Sequence, residues 1–311
     1  MGRALHLHLI AAFLALWSAF IAAPAMAAER DEPSFAPSCV AYSDLSRSFT
    51  AMAERSVWTC DPKSWRADTD VVWLRFEDEV WAGEERPRYL FTRIARFKTM
   101  KIAALDADGT MRELSFPESA GKPFAAGPVF EVPLPEVKAE TRAVLVRVEK
   151  PHSIPLLTEA RLTFHSEDAD WSQLEMMVLA LVIGMLILPL LFDLSFFFVL
   201  RERFVVLHAV MVTSMISYVL FSGGLISAFV TLPLALIAIA GPLSWAIGCG
   251  VSALFLADFL EKGIQSPAMR RMLQATGLWT IALPGLFALQ LHALHPYDDR
   301  GYFVTFIPAI V

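Results

Sequence analysis

Residues 174–200 read LEMMVLALVIGMLILPLLFDLSFFFVL, an apolar run in which only Glu175 and Asp193 are charged. A helix needs about 20 mainly apolar residues to cross a bilayer, so this run predicts a membrane span. Further complete spans are predicted at 204–221, 225–256 and 273–291. A fifth run starts at Tyr302 and has only ten residues before the sequence ends at Val311. Ten helical residues are too short for a 30 Å layer, so we expect the chain to be cut short inside a helix.

Charged residues are concentrated in the other half of the chain. Residues 29–170 carry 19 Lys and Arg with 25 Asp and Glu, whereas residues 171–311 carry 6 and 7. This contrast excludes a single soluble globule and predicts a membrane region at 171–311, with the lipid bilayer as its partner. The net charge of −6 argues against a nucleic-acid partner, which would favour a basic surface.

The first 28 residues have the pattern of a signal peptide. Arg3 precedes an apolar run from Leu9 to Ala23, and Ala25-Met26-Ala27 fits the small-x-small cleavage pattern. An uncleaved signal anchor is the alternative. In both cases residues 29–170 are expected outside the cytoplasm.

Charges in the predicted loops indicate the orientation of the spans independently of the signal peptide. Five of the six Lys and Arg residues of the membrane region fall on one side, at Arg201, Arg203, Lys262, Arg270 and Arg271. Cytoplasmic loops are enriched in these residues. We therefore expect a multi-pass protein of the bacterial inner membrane with a periplasmic N-terminal domain.

Residues 29–170 have the short, turn-bounded segments of an all-β domain. In residues 70–76, DVVWLRF, the side chains alternate, which predicts a strand with Val72, Leu74 and Phe76 on one face and Val71, Trp73 and Arg75 on the other. Similar segments follow at 88–97, 100–105, 128–132, 142–149 and 161–165. Their spacing predicts a β-sandwich. Asp106-Ala107-Asp108-Gly109 predicts a hairpin turn rather than a calcium loop, because further regularly spaced oxygen ligands are missing.

Two cysteines lie in this domain. In an oxidising compartment, Cys39 and Cys60 are expected to form a disulfide, which would stabilise the domain by about 3 kcal/mol on the chain-entropy model. A pair of free buried thiols is the alternative. Cys249 lies in the membrane region, where a small apolar packing role is expected.

The aromatic residues of the domain offer a candidate ligand site. Four tryptophans, Trp58, Trp65, Trp73 and Trp81, lie close together in the sequence. With Arg75 and Tyr89, Trp73 could form a stacking surface for a sugar or another small ligand. The alternative is that these large rings fill the core of a small sandwich.

Ionisable residues inside membrane spans are costly and often functional. Asp193 lies within the first span, and His208 could reach it across the hairpin to the second span. Asp258 lies near the end of the third span and could extend to the interface. For Asp193, a structural polar bond and a signalling role both remain open. No catalytic residue, metal ligand or cofactor motif is assigned.

This layout resembles the bacterial seven-transmembrane receptors with diverse intracellular signalling modules. The resemblance rests on Val72-Trp73-Leu74-Arg75-Phe76, the Asp106-to-Gly109 turn, and the hairpin from Leu190-Leu191-Phe192-Asp193 to Leu200-Arg201-Glu202-Arg203-Phe204. The family often carries Tyr-Asn where this chain has Phe192-Asp193. It implies a jelly-roll-like periplasmic sensor domain, seven helices and a cytoplasmic output domain, commonly a diguanylate cyclase or a histidine kinase.

No catalytic signature of such an output domain occurs in residues 29–311. We therefore expect a signalling receptor that senses a small ligand, with carbohydrate as one candidate, and forms a homo-oligomer. The alternatives are the N-terminal part of a membrane-bound diguanylate cyclase that makes cyclic di-GMP, and a transporter, for which Asp193, His208 and Asp258 are the only support.

Overall fold

The structure of the protein is a computed structural model. It describes residues 36–53, 58–60, 69–77, 85–124, 127–165, 173–260, 265–291, 293–294 and 297–310. The predicted signal peptide, Trp65 and Trp81 lie outside the described residues.

The N-terminal half is all-β, as predicted. Its strands are β1 (Cys39–Ser43), β2 (Val71–Glu77), β3 (Tyr89–Arg93), β4 (Thr99–Asp106), β5 (Met111–Pro117), β6 (Lys122–Pro123), β7 (Val129–Pro133), β8 (Thr141–Glu149) and β9 (Arg161–Thr163). They form two antiparallel sheets with the orders β1-β2-β8-β4-β5 and β6-β7-β3-β9. Two short helices, α1 (Phe49–Met52) and α2 (Ile154–Thr158), lie in the connections.

The alternation in β2 separates two apolar clusters. Val72, Leu74 and Phe76 belong to the large core that also contains residues of the second sheet, such as Phe130 and Leu162. The opposite side chains of the strand, Val71 and Trp73, pack in a smaller cluster with Phe49 and Met52 of α1. Both faces of β2 are therefore buried, because the segment around α1 covers the outer face of its sheet.

The C-terminal half is helical, with α3 (Gln173–Leu200), α4 (Arg203–Ser222), α5 (Leu234–Phe259), α6 (Pro267–Ala288) and α7 (Asp298–Ile310). Consecutive helices of this series pack against one another. Three of them contain segments long and apolar enough to cross a membrane, at Glu175–Leu200, Arg203–Ser222 and Leu234–Phe259. Membrane crossing by α6 stays a prediction.

The third predicted span starts later than its apolar run. Residues Leu225–Ala228 form a short 3-10 helix, and α5 begins only at Leu234, after Pro233. Proline suits this place because its fixed φ fits a helix start and its missing N–H is not needed there. The apolar run from 225 to 256 therefore combines a connection with a helix.

Candidate functional site

Trp73 is fully buried in the smaller cluster of the sandwich. Its ring makes an edge contact with Phe49, with ring centres 5.1 Å apart, and its indole N–H donates to Ser43 Oγ at 2.8 Å. The guanidinium of Arg147 lies 5.5 Å from the ring centre. The contact with Phe49 packs α1 against the sheet, and the buried Trp73 ring is inaccessible to a ligand in this arrangement.

The other two predicted ligand residues lie in different sheets. Arg75, on the same face as Trp73, pairs with Glu77 at 3.2 Å and lies 5.6 Å from the Trp58 ring centre. Tyr89 is in β3 of the four-stranded sheet, next to Phe91. The structure therefore brings Trp73 and Arg75 to one face but does not bring Tyr89 to them. Ligand binding by these residues stays a prediction.

The two cysteines of the sandwich form the predicted disulfide, Cys39–Cys60. It joins β1 to the segment that follows Trp58. Val40 and Thr59 add a pair of backbone hydrogen bonds of 2.8 and 2.9 Å beside it. Cys249, in α5, is free and partly buried.

The Asp106-to-Gly109 segment is the turn between β4 and β5. Asp106 is buried and accepts hydrogen bonds from Arg112 and from Thr141 Oγ1, the latter at 2.7 Å. The hydrogen bond from Arg112 is the main reason that the pKa of Asp106 lies below its ordinary value. Within the described residues, no group of three or more His, Cys, Asp and Glu side chains is arranged to hold a metal ion. The Asp106 cluster instead ties the hairpin to β8.

The sandwich contacts the helical region through Arg96, which follows β3. Its guanidinium pairs with Glu118, with a shortest distance of 3.0 Å. It also donates to the main-chain oxygens of Gln290 at 2.8 Å and Leu289 at 3.4 Å. These carbonyls lie just beyond the C-terminal end of α6, where a cation is favourable because the helix leaves carbonyl groups without amide partners.

Gln290 extends this contact to α5. Pro242 has no N–H, so the carbonyl of Ala238, one turn earlier, lacks its usual helical donor. The side-chain amide of Gln290 donates to that carbonyl at 3.4 Å. One residue thus connects Arg96 of the sandwich with the ends of two membrane-region helices.

An apolar contact lies beside these polar ones. Leu234, the first residue of α5, is buried in the large core of the sandwich. A methyl group added at Gly121 would lie 3.0 Å from both Leu234 and Phe130, so the three residues are closely packed. We name the contacts of Arg96, Glu118, Gln290 and Leu234 the joint.

Asp193 and His208 are brought together by the hairpin of α3 and α4. Asp193 Oδ2 lies 2.7 Å from His208 Nδ1. Asp193 is 8% exposed, and the His208 ring packs against Phe255 of α5 with ring centres 5.3 Å apart. The pair holds neighbouring helices together through a polar contact inside an apolar region. A signalling role for Asp193 stays a prediction.

Asp258 lies at the C-terminal end of α5, and its carboxylate forms ion pairs with two arginines. Arg203 of α4 approaches at 3.3 Å and Arg270 of α6 at 3.1 Å. One carboxylate therefore links three helices at the end where both basic loops were predicted to lie. Arg203 is 77% exposed on its side chain, so its share of this interaction is reduced by solvent.

The contacts of the joint were not predicted from the sequence. Arg96 and Gln290 are separated by almost 200 positions, and neither belongs to a motif. The available signal was Gln290 itself, an uncharged polar residue near the end of an apolar run. The second contact of Gln290 is the carbonyl of Ala238. This carbonyl is available as an acceptor because Pro242, four residues later, has no N–H to pair with it.

Comparison with known protein families finds a match in the helical half. Residues 175–311 match the family described as 7TM diverse intracellular signalling. No curated protein matches the chain.

Proposed function

Because its helical region matches the 7TM diverse intracellular signalling family, we propose that this protein is a membrane receptor that senses a small periplasmic ligand through its β-sandwich and changes the packing of its helices in response. The ligand would have to bind one helix arrangement more tightly than another, since equal affinity for both shifts nothing.

The joint is the single observation that carries this proposal. It fixes the sandwich to α5 by burying Leu234 in the sandwich core, and to α6 by the hydrogen bonds from Arg96. A rearrangement of the loop that carries Arg96 would alter the position of both helix ends. A tethered domain without such contacts would have no comparable route to the helices.

The charge distribution supports the periplasmic orientation. The signal-like N-terminus would export the sandwich, and the basic loops would remain in the cytoplasm. Arg203 and Arg270 both pair with Asp258, so these two arginines lie at one end of the helical region. The joint involves the other ends of α5 and α6.

The family resemblance favours an intracellular output as the second part of the proposal. A diguanylate cyclase is the specific alternative, in which this chain would form the input region. Expression of the full gene and measurement of cyclic di-GMP in the host cell tests it. Unchanged cyclic di-GMP on deletion and on overexpression would reject the cyclase.

The test of transmission uses the full chain in lipid nanodiscs and hydrogen–deuterium exchange. We would first find a stabilising compound by thermal unfolding with a panel of monosaccharides, disaccharides and amino acids, because a ligand of the native state raises stability by mass action. The bound compound should then change exchange both in the sandwich and at the ends of α5 and α6 near the joint.

Arg96→Gln should separate binding from transmission. In this variant, the ligand should still change hydrogen–deuterium exchange in the sandwich but no longer at the ends of α5 and α6. The control is Arg142→Gln, which replaces an exposed arginine on β8 and should retain both changes. A panel without any stabilising compound, or an Arg96→Gln protein with an undiminished helix response, would overturn the proposal.

A further inference from the structure

A cleft of about 670 Å³ lies at one end of the four-stranded sheet. Its walls are formed by the segment before β3, the segment after β7 and the segment after β9. The three segments are adjacent because β3 pairs with β7 on one side and with β9 on the other, both antiparallel. The volume is within the range of about 300–1,000 Å³ that is typical of small-molecule sites.

Backbone hydrogen bonds fix the walls of this cleft. The N–H of Arg88 donates to the carbonyl of Thr163 at 2.8 Å, and the carbonyl of Arg88 accepts from the N–H of Leu134 at 2.8 Å. Arg88 is thus held to both neighbouring walls through its main chain, while its side chain remains exposed. A preformed wall lowers the ordering cost of binding.

The lining is mostly polar, with charges of both signs beside four buried apolar residues. The buried residues are Pro87, Leu134, Pro135 and Val137. The charged lining residues are Glu85, Arg86, Arg88 and Glu136, whose formal charges balance. Arg88 forms no ion pair with another residue in the part of the chain that the structure describes.

We propose that this cleft binds a small zwitterion, an amino acid with an apolar side chain, with its carboxylate at Arg88 and its ammonium group at Glu136. A guanidinium pairs well with a carboxylate through two parallel hydrogen bonds. Balanced charge in the lining favours a ligand that carries both signs, and the prolines and Leu134 offer contact to its apolar part. This inference rests on the proposed function, for which it names the ligand class.

The position of the cleft connects it with the joint. Arg88 immediately precedes β3, and Arg96 follows the same strand. One short central strand therefore runs from the ligand site to the contact with α6. A ligand that moves the start of β3 relative to β7 and β9 would act on the segment that bears Arg96.

The test uses L-leucine, L-valine and L-phenylalanine with the full chain in nanodiscs, by isothermal titration calorimetry and thermal unfolding. For the tightest binder, the analogue without the amino group and the analogue without the carboxylate should each bind at least about tenfold more weakly, because each loses one set of hydrogen bonds between charged groups. Arg88→Gln and Glu136→Gln should show the same loss, and Arg142→Gln should bind normally.

Binding by none of the three amino acids, or equal affinity in Arg88→Gln and Arg142→Gln, would overturn the assignment of the cleft. The outcome is separable from that of the proposed function. If no amino acid binds but a sugar that binds elsewhere changes exchange at the joint, the receptor proposal would stay intact and the cleft would be refuted. Amino-acid binding that depends on Arg88 but leaves α5 and α6 unchanged would support the cleft and contradict transmission.

Discussion

Asp193 of α3 and His208 of α4 share a 2.7 Å hydrogen bond within the helical hairpin. The carboxylate is almost completely buried, so each partner compensates for the desolvation of the other. Both chain segments are strongly apolar, and the pair therefore selects one register of α3 against α4. Loss of one partner would leave the other as an uncompensated polar group.

Asp193→Ala should destabilise the helical region by about 1–3 kcal/mol, the usual cost of a buried polar group left without its partner. Asp193→Asn should lose less, because an amide can still hydrogen-bond the imidazole. Unfolding of the full chain in mixed detergent micelles, followed by circular dichroism, measures both.

Ser195→Ala is the matched control for Asp193. Ser195 is in the same helix and donates a hydrogen bond within it, to the carbonyl of Leu191 at 3.0 Å. It should unfold like the wild type. A full response to ligand in Asp193→Asn would assign the pair a structural role, whereas a stable but unresponsive protein would indicate a role of the charge in switching.

The disulfide should contribute measurably to the stability of the sandwich. Cys39 and Cys60 are 21 positions apart, and closing such a loop stabilises by about 3 kcal/mol on the chain-entropy model. A reducing agent should therefore lower the thermal midpoint of the full chain. Alkylation of the denatured, unreduced protein should modify Cys249 alone. The midpoint of Cys249→Ala should fall equally on reduction, and a protein indifferent to the reductant would contradict the prediction.

The Asp106 cluster predicts a specific dependence of stability on pH. Hydrogen bonds from Arg112 and Thr141 lower the pKa of Asp106 below its ordinary value of 3.8. A lowered pKa in the folded state means that its stabilisation is complete above the unfolded value and is lost as the pH falls through the folded value. The stabilisation by Asp106 should therefore be lost only at acid pH.

Asp106→Asn should destabilise the full chain by about 2–3 kcal/mol at pH 7, since it removes one partner of a buried charged hydrogen bond. Thermal unfolding at pH 7 down to pH 2 should show the difference from wild type narrowing below pH 4. Asp108→Asn, in the same turn but exposed, should have a smaller effect at pH 7. A difference that is constant with pH would contradict the prediction.

The sequence was most informative where structure is local. Val72 and Trp73 could be assigned to opposite faces because side chains alternate along any strand. The helical hairpin between Asp193 and His208 was predictable for a similar reason, since a short connection leaves few possible pairings. Composition separated the two halves because a bilayer requires long uncharged runs.

Long-range packing could not be predicted in this way. Tyr89 and Trp73 lie in different sheets because of the strand order, which depends on crossovers that no local pattern records. The start of α5 at Leu234 was hidden in a continuous apolar run, because Leu234 is buried by the sandwich rather than by lipid or another helix. The contact between Arg96 and Gln290 could not be predicted because it joins the sandwich to the helical region, two parts of the fold that are far apart in the sequence.

Gly250 of α5 and Gly277 of α6 bring two helix backbones into close contact. A methyl group built on Gly250 would lie 2.6 Å from the carbonyl oxygen of Gly277, and one on Gly277 would lie 2.7 Å from that of Gly250. Small residues at helix crossings permit this approach and are typical of membrane proteins. Because these two carbonyl oxygens belong to the backbone and cannot rotate away as a side chain can, a side chain at either position must separate the helices.

Gly277→Ala should therefore destabilise the helical region by about 1–3 kcal/mol through overpacking, despite the better helix propensity of alanine. Gly184→Ala in α3 is the control, because nothing lies within 4 Å of its added methyl group. It should be neutral or stabilise by up to about 1 kcal/mol, the difference in propensity between the two residues. Unfolding in mixed micelles would compare the two variants. Equal stability of both variants would show that α5 and α6 do not cross at these glycines.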